Sequence, residues 1–381
     1  MEEEANDRDA LGTWSFMDDL PPEIVLSILA EFTDPATITI CRQACKRWRE
    51  ILRLYVTWKT LPKYLCSQAA REGYIPLMKW AHSQGCRLDT LASREAAKGG
   101  QIKTLKWISK HDPPAFDTAA LVEGAAEGGQ METLEWAFAQ GYPPTQRTIA
   151  FAASGGHLDV IKLCVPKCQE GWDEASACAE AARGGHLEVL KWLKVEAGAW
   201  WNSKTCEFAA AEGHLHILKY ARYPTEPNVA QCAWDKYTST CAAANDHMKV
   251  LRWLYIHNCP WDGRVCDAAA RNGNTEMLKW ARARDCPWHS TVTLEAAKGG
   301  HLTTLKWAIA KGATWHRDVC YNAAANGHLA VLKWARENGC KWSWAECRAV
   351  ATREGKEDVL EWVNTCDPPV EERNWRTTRP P

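Results

Sequence analysis

The chain is 381 residues long, 46% hydrophobic and has a net charge of −1, which leaves room for two ordinary domains or one extended array with a buried core. Near-neutrality argues against a general nucleic-acid binder, which needs a basic field to neutralise phosphates, and no stretch approaches the roughly 20 unbroken apolar residues of a membrane span. The acidic start from Met1 to Asp9 is the opposite of a secretory or mitochondrial leader, so no nucleic acid and no membrane are expected as partners, and a cytosolic or nuclear location is.

Residues 1–16 are expected to be disordered. From Met17 the chain reads MDDLPPEIVLSILAEF. Proline stands just inside a helix start, acids before it suit the helix N-terminus, and Ile24, Ile28 and Leu29 mark an apolar stripe. Asp34-Pro35 opens a second helix with the aspartate as its cap. Trp48, Ile51 and Leu52 are the stripe of a third. Three short helices make a poor core alone, so such a module borrows burial from a neighbour or a partner.

Residues 17–58 resemble an F-box. That family opens L-P-x-E-I-x-x-x-I-L, matched by Leu20-Pro21-Pro22-Glu23-Ile24 and then Ile28-Leu29. Ile38 supplies the apolar residue after the following turn, where Leu is usual. The closing V-x-K-x-W-x-x-L is echoed by Ala44-Cys45-Lys46-Arg47-Trp48 through Leu52, with Trp58 after it. The resemblance implies docking on the Skp adaptor of cullin–RING ubiquitin ligases through Leu20, Pro21, Pro22, Ile24, Ile28, Leu29, Ile38 and Trp48. The residues by themselves also allow a helical cap that seals the first repeat of the array behind it.

Residues 62–366 are an array. One tryptophan series runs Trp80, Trp107, Trp136, Trp192, Trp253, Trp280, Trp307, Trp334 and Trp362, with Cys164 and Tyr220 in the two vacant slots. The gaps are 27 or 28 residues, with 29 once and 33 once, and such a period means about eleven stacked units. Clear copies are GHLTTLKWAIAKGATW (300–315) and GHLAVLKWARENGCKW (327–342), each preceded by an alanine-rich stretch such as CYNAAANGH (320–328). Apolar residues at three- and four-residue steps make both halves helical, and the Gly-Gly or Asn-Gly between them breaks the helix. Each unit is therefore a helix, a tight turn, a longer helix and a connector, and the whole chain is predicted to be all-α.

The pattern A-A-x-x-G-H-L-x-V-L-K-W-L resembles the ankyrin repeat, whose units run about 33 residues. Here they are five or six shorter and lack the T-P-L-H tetrad, so the β-turn finger should be clipped. Similar short, Trp-rich ankyrin units are typical of large DNA viruses of amoebae and of some protists, which would place the protein in a host cell.

Seventeen cysteines are an odd number without a C-x-x-C pair, so they read as small buried hydrophobes rather than as a disulfide framework or zinc site. The resemblance places Cys66, Cys178, Cys206, Cys266 and Cys320 where ankyrin repeats carry the apolar residue of the T-P-L-H-x-A helix, which supports that core reading. A second tryptophan series, Trp172, Trp201, Trp234, Trp261, Trp288, Trp315 and Trp342, lies in the connectors and reads as a packing ladder before it reads as a stacking platform for a ligand. The turn residues His157, His186, His214, His247, His301 and His328 lie one repeat apart, which suits turn hydrogen bonding better than metal binding. The lysine of L-K-W is expected on a solvated face.

No phosphate-binding glycine loop, nucleophile elbow or metal motif is present, so neither a catalytic residue nor a cofactor nor a metal is predicted. Residues just after the second tryptophan series vary most between units, and Asn202, Lys204, Lys236, Arg264, His289, Arg317 and Trp344 are the candidate contacts to a target protein. The six-residue excess around Tyr223-Pro-Thr-Glu-Pro227 should protrude, the last unit is charged as a terminal repeat should be, and residues 367–381 are expected to be disordered.

Overall fold

In the computed structural model the described residues are 65–75, 78–79, 88, 90–111, 113–168 and 171–366. The F-box-like segment 17–58 and both chain ends lie outside them. The described residues hold 21 α-helices and no strand, and fall into two compact units, one of those up to 148 together with 163–168, the other of 149–162 together with 171–366.

In the first unit the helices are α1 (Leu65–Glu72), α2 (Thr90–Lys98), α3 (Ile102–His111), α4 (Thr118–Glu127) and α5 (Met131–Ala139). The first helices of successive repeats stack, α1 on α2 and α2 on α4. Arg94 and Lys98 of α2 reach Glu127 of α4 at 2.8 and 2.6 Å. Burial alone would raise the Glu127 carboxyl, but the two cations hold it below the usual carboxylate range.

The helices α6 (Thr148–Gly155) and α7 (Leu158–Cys164) come next. The rest of the second unit is seven helix pairs: α8 (Glu174–Gly184) with α9 (Leu187–Val195), α10 (Ser203–Ala211) with α11 (Leu215–Arg222), α12 (Lys236–Ala244) with α13 (Met248–Ile256), α14 (Arg264–Arg271) with α15 (Thr275–Arg282), α16 (Thr291–Lys298) with α17 (Leu302–Ala310), α18 (Val319–Ala325) with α19 (Leu329–Glu337), and α20 (Trp344–Arg353) with α21 (Glu357–Thr365). Each even-numbered helix from α8 to α18 packs on the next even-numbered one.

Alanine pairs make that close approach possible. Ala181-Ala182, Ala209-Ala210, Ala242-Ala243, Ala269-Ala270, Ala296-Ala297 and Ala323-Ala324 are all fully buried. Second helices then bury the positions i, i+1 and i+4, as with Val189, Leu190 and Leu193 or Val250, Leu251 and Leu254; α11 adds Tyr220, and α21 keeps only Val359 and Val363. That is one apolar stripe of a short helix, and each large aliphatic in it contributes about 1.5–3 kcal/mol. Helices of seven to eleven residues are marginal alone, so this stacking is what holds them.

The turn between the two helices of a pair ends the first helix with a left-handed residue. At α8 this is Gly185, φ 75°, with the His186 N–H bonded back to Ala181 O at 2.9 Å. The α12–α13 turn uses Asp246 instead, at φ 64°.

Candidate functional site

The connectors carry the residues that differ between repeats, and an aromatic ladder holds them in place. Trp234, Trp261, Trp288, Trp315 and Trp342 lie 5.7–6.1 Å, centroid to centroid, from Trp253, Trp280, Trp307, Trp334 and Trp362 of the helix pair that follows. Trp201 meets Tyr220 in the same way at 6.0 Å. The other face of several connector rings is covered by a cation from the preceding second helix: Arg222 over Trp234, Arg282 over Trp288 and Arg336 over Trp342, at 4.4–4.6 Å. These tryptophans are scaffold. The lysine of L-K-W also has a place in it: Lys306 lies over Trp334 and Lys333 over Trp362, each at 5.8 Å, so it is not merely solvated.

Connector thiols tie the same segments together. Cys232 Sγ donates to Asn202 O at 3.1 Å, Cys259 Sγ to Asp235 O at 3.5 Å, and Cys286 Sγ to Asp262 O at 3.4 Å. Each acceptor is the residue just after the previous connector tryptophan. Cys178, Cys206, Cys266 and Cys320 are buried in their helices and unbridged.

The turn histidines bond across repeats. His186 Nε2 lies 3.1 Å from Ser154 O, His214 Nε2 2.9 Å from Arg183 O, and His328 Nε2 3.0 Å from Lys298 O. Each reaches an unpaired carbonyl at the end of the preceding repeat's first helix. The ring occupies the space where the preceding turn's glycine lacks a side chain: a Cβ on Gly156 would stand 2.5 Å from His186 Nδ1, and one on Gly300 2.6 Å from His328 Nδ1. Among the described residues no group of three or more His, Cys, Asp or Glu could hold a metal ion.

The seven candidate contact residues all lie in the second unit, at or near the starts of first helices. Asn202 caps α10 by accepting from Lys204 N, which makes it structural. Lys204 is exposed but pairs with Glu207 at 3.1 Å. Arg264 forks onto Asp262, with Nη2–Oδ2 at 2.7 Å and Nε–Oδ1 at 3.1 Å, and covers the Tyr237 ring at 4.3 Å. That guanidinium's hydrogen bonds hold the Asp262 carboxyl below its ordinary range. Lys236 stands 4.0 Å from the same carboxylate, and His289 is exposed. Trp344 donates from Nε1 to Val363 O at 2.9 Å, joining α20 to α21.

Arg317 is the freest, with its side chain 89% exposed and 3.5 Å from Asp318. It lines a cleft of about 440 Å³ with Asp318, Tyr321, Lys341, Trp342 and Glu346. Exposed apolar side chains sit three residues after the ladder aromatic in three successive repeats, Val195, Tyr223 and Ile256, and of these the sequence reading singled out only Tyr223. Their alignment at one register was the available signal. The long connector behind Tyr223 is partly folded in, because Glu226 comes against the Tyr220 hydroxyl, which burial and that carboxylate both push up.

The chain matches the F-box-like family over residues 17–61. No curated protein matches it. The eight residues assigned to the adaptor contact fall inside that match and outside the described residues. No helix among the described residues is long and apolar enough to cross a membrane.

Proposed function

We propose that the chain is a non-catalytic substrate receptor of an SCF-type, cullin–RING ubiquitin ligase. The F-box-like domain docks on a Skp-type adaptor, and the repeats, read as shortened ankyrin-like units, capture a target protein. The observation that carries this reading is the F-box-like match at residues 17–61 joined in one chain to stacked helix pairs. Leu20, Pro21, Pro22, Ile24, Ile28, Leu29, Ile38 and Trp48 supply the apolar face buried in the adaptor groove. The repeats support capture because their framework residues recur while the connector residues change, as in a surface built to be varied on a constant scaffold.

The protein's contribution is proximity. It holds target lysines near the charged conjugating enzyme and makes or breaks no bond itself. Of the candidate target contacts, Arg317 and His289 are the least committed to the scaffold. Lys204, Lys236 and Arg264 already have acidic partners, and Asn202 and Trp344 hold helix ends.

Binding of the full chain to a purified Skp-type adaptor tests the reading. The native chain should bind, and Leu20→Asp with Pro21→Ala should weaken binding at least about 100-fold, the loss expected when an apolar anchor is replaced by an unpaired charge at an interface centre. Equal binding by the native and doubly substituted chains, or none by the native chain, would leave the scaffold reading, in which the N-terminal helices only cap the array.

A further inference from the structure

Three successive second helices, α9, α11 and α13, carry the same pair of side chains on their exposed face. The residue before the ladder aromatic is a cation, Lys191, Lys219 and Arg252, and four positions after it come Val195, Tyr223 and Ile256. Four positions make about one turn, so cation and apolar group stand on one side of each helix. The apolar three are 48%, 51% and 70% exposed. In the later repeats the same position holds Ala283, Ala310, Glu337 and Thr365, so within the second unit large apolar groups there belong to these three helices. The Tyr223 ring is also held in place, with Trp253 at 6.4 Å and His257 at 5.7 Å.

The charge beside this apolar row has one sign at its centre. Neither α11 nor α13 contains an acid, and Lys219, Lys249 and Arg252 are exposed and in no ion pair among the described residues. In the repeats on either side the matching cation is neutralised. Lys191 pairs with Glu188 at 3.1 Å and Lys279 with Glu276 at 2.7 Å, and the two glutamates are 79% and 82% exposed. The basic patch is therefore two repeats wide and ends in acids. An anionic bilayer or a nucleic-acid backbone continues past those ends and would set its charge against Glu188 and Glu276. A second copy of this chain would set cations against cations. A short acidic segment of another protein meets neither repulsion.

We propose that the shared face of α9, α11 and α13 docks an acidic amphipathic helix of a partner protein. The apolar row of that helix covers Val195, Tyr223 and Ile256, and its carboxylates meet Lys219, Lys249 and Arg252. The pitch suits a helix. Packed helices stand roughly 8–10 Å apart, and seven residues of an incoming helix advance about 10.5 Å, so an apolar residue at every seventh position reaches one repeat after another. Apolar contact supplies the adhesion and the flanking charges fix the register. Tyr223, already held by its neighbours, loses little freedom on binding. The surface lies on second helices, apart from the candidate target contacts at the starts of first helices, and requires neither those residues nor the F-box-like domain.

Fluorescence anisotropy of the full chain with a labelled helical peptide tests it. The peptide has about 18 residues, enough to cross three repeats, and is built of Glu, Ala and Leu with leucine at every seventh position and glutamates flanking that row. It should bind the native chain. Lys219→Glu with Arg252→Glu should weaken binding at least about tenfold, and Ile256→Asp by a similar factor of about ten, while Lys311→Glu, at an exposed cation outside the patch, should change nothing. A peptide with Lys in place of Glu should prefer the charge-reversed chain, which separates lost complementarity from lost folding. No binding by the native chain, equal binding by the reversed one, or tighter binding of phosphatidylserine vesicles or oligothymidylate that the same reversal abolishes would overturn the proposal. So would binding seen only after removal of residues 1–16, which would give the surface to the chain's own acidic start.

Discussion

Asp246 and Asn274 depart from the repeat together, and the structure shows why. Every other turn from Gly156 to Gly327 in the second unit has glycine at the left-handed position, where the next repeat's histidine or lysine leans in. Asp246 has a side chain there, and the next repeat carries the smaller Asn274, whose Nδ2 donates to Asp246 Oδ1. Asn274→His should therefore destabilise by about 1–3 kcal/mol through overpacking, and Asp246→Gly should restore most of the loss in the double variant. Urea unfolding of the four-member cycle measures the coupling. Gly300→Ala makes the reciprocal clash with His328 and adds left-handed strain, for an expected cost of about 1–3 kcal/mol.

Asp267 gives a pH dependence at the same scale. Burial raises its carboxyl above the ordinary value of 3.8, and the nearby Glu295 charge adds to that, although Thr291 donates to it at 2.8 Å. A raised carboxyl favours the protonated fold. Its stabilising effect is complete below the ordinary carboxylate pKa and is lost as pH rises through the elevated one. Asp267→Asn should then be more stable than the native chain at pH 7 by about 1 kcal/mol or less. The difference should vanish as the pH is lowered past 3.8, and denaturant midpoints across that window check the sign. A difference that grew on acidification would place Asp267 among the carboxylates held ionised, like Glu127.

The helix pair is the element most legible in the sequence. Three- and four-residue apolar spacing and Gly-His or Gly-Gly turns are local signals, and they located α8 to α21 without any partner being known. What lay hidden was every bond between repeats. His328 and the Lys298 carbonyl are 30 positions apart, and nothing in the spacing says whether a turn histidine bonds inside its own turn or backwards. The cationic partners of the tryptophans were equally opaque, because Arg282 and Lys306 read as surface charges until the neighbouring ring is placed. The candidate site suffered for the same reason: its variable residues were found by their failure to repeat, but several of them, Asn202 and Trp344 above all, vary in how they hold helix ends. The connector ladder makes a test. Trp288→Ala uncovers Trp307 and leaves Arg282 without its ring, and should cost about 2–4 kcal/mol, somewhat under a fully buried tryptophan. Arg282→Ala removes one cation–π contact and should cost about 1 kcal/mol. Both are read from denaturant unfolding followed by tryptophan emission.

At the scale of the molecule, stacked units stand or fall by their neighbours. The last pair fits a terminal position: α21 buries only Val359 and Val363, where α19 buries three residues, and its first turn is acidic. It still covers α19 and the last connector, through Trp362 on Trp342 and Arg336 Nη1 on Cys366 Sγ at 2.8 Å. Truncation after Ser343 should lower the unfolding midpoint of what remains and increase binding of an apolar dye, because the new end has no such polar face. An unchanged midpoint would mean that the last pair contributes nothing to its neighbour.

The backward reach of the turn side chains gives the array a direction in time. A ribosome delivers residues 174–184 before 214 and 298 before 328, so a first helix leaves the exit tunnel with carbonyls that nothing yet satisfies. Each repeat is finished by its successor, and a chain halted midway always ends in one that is not.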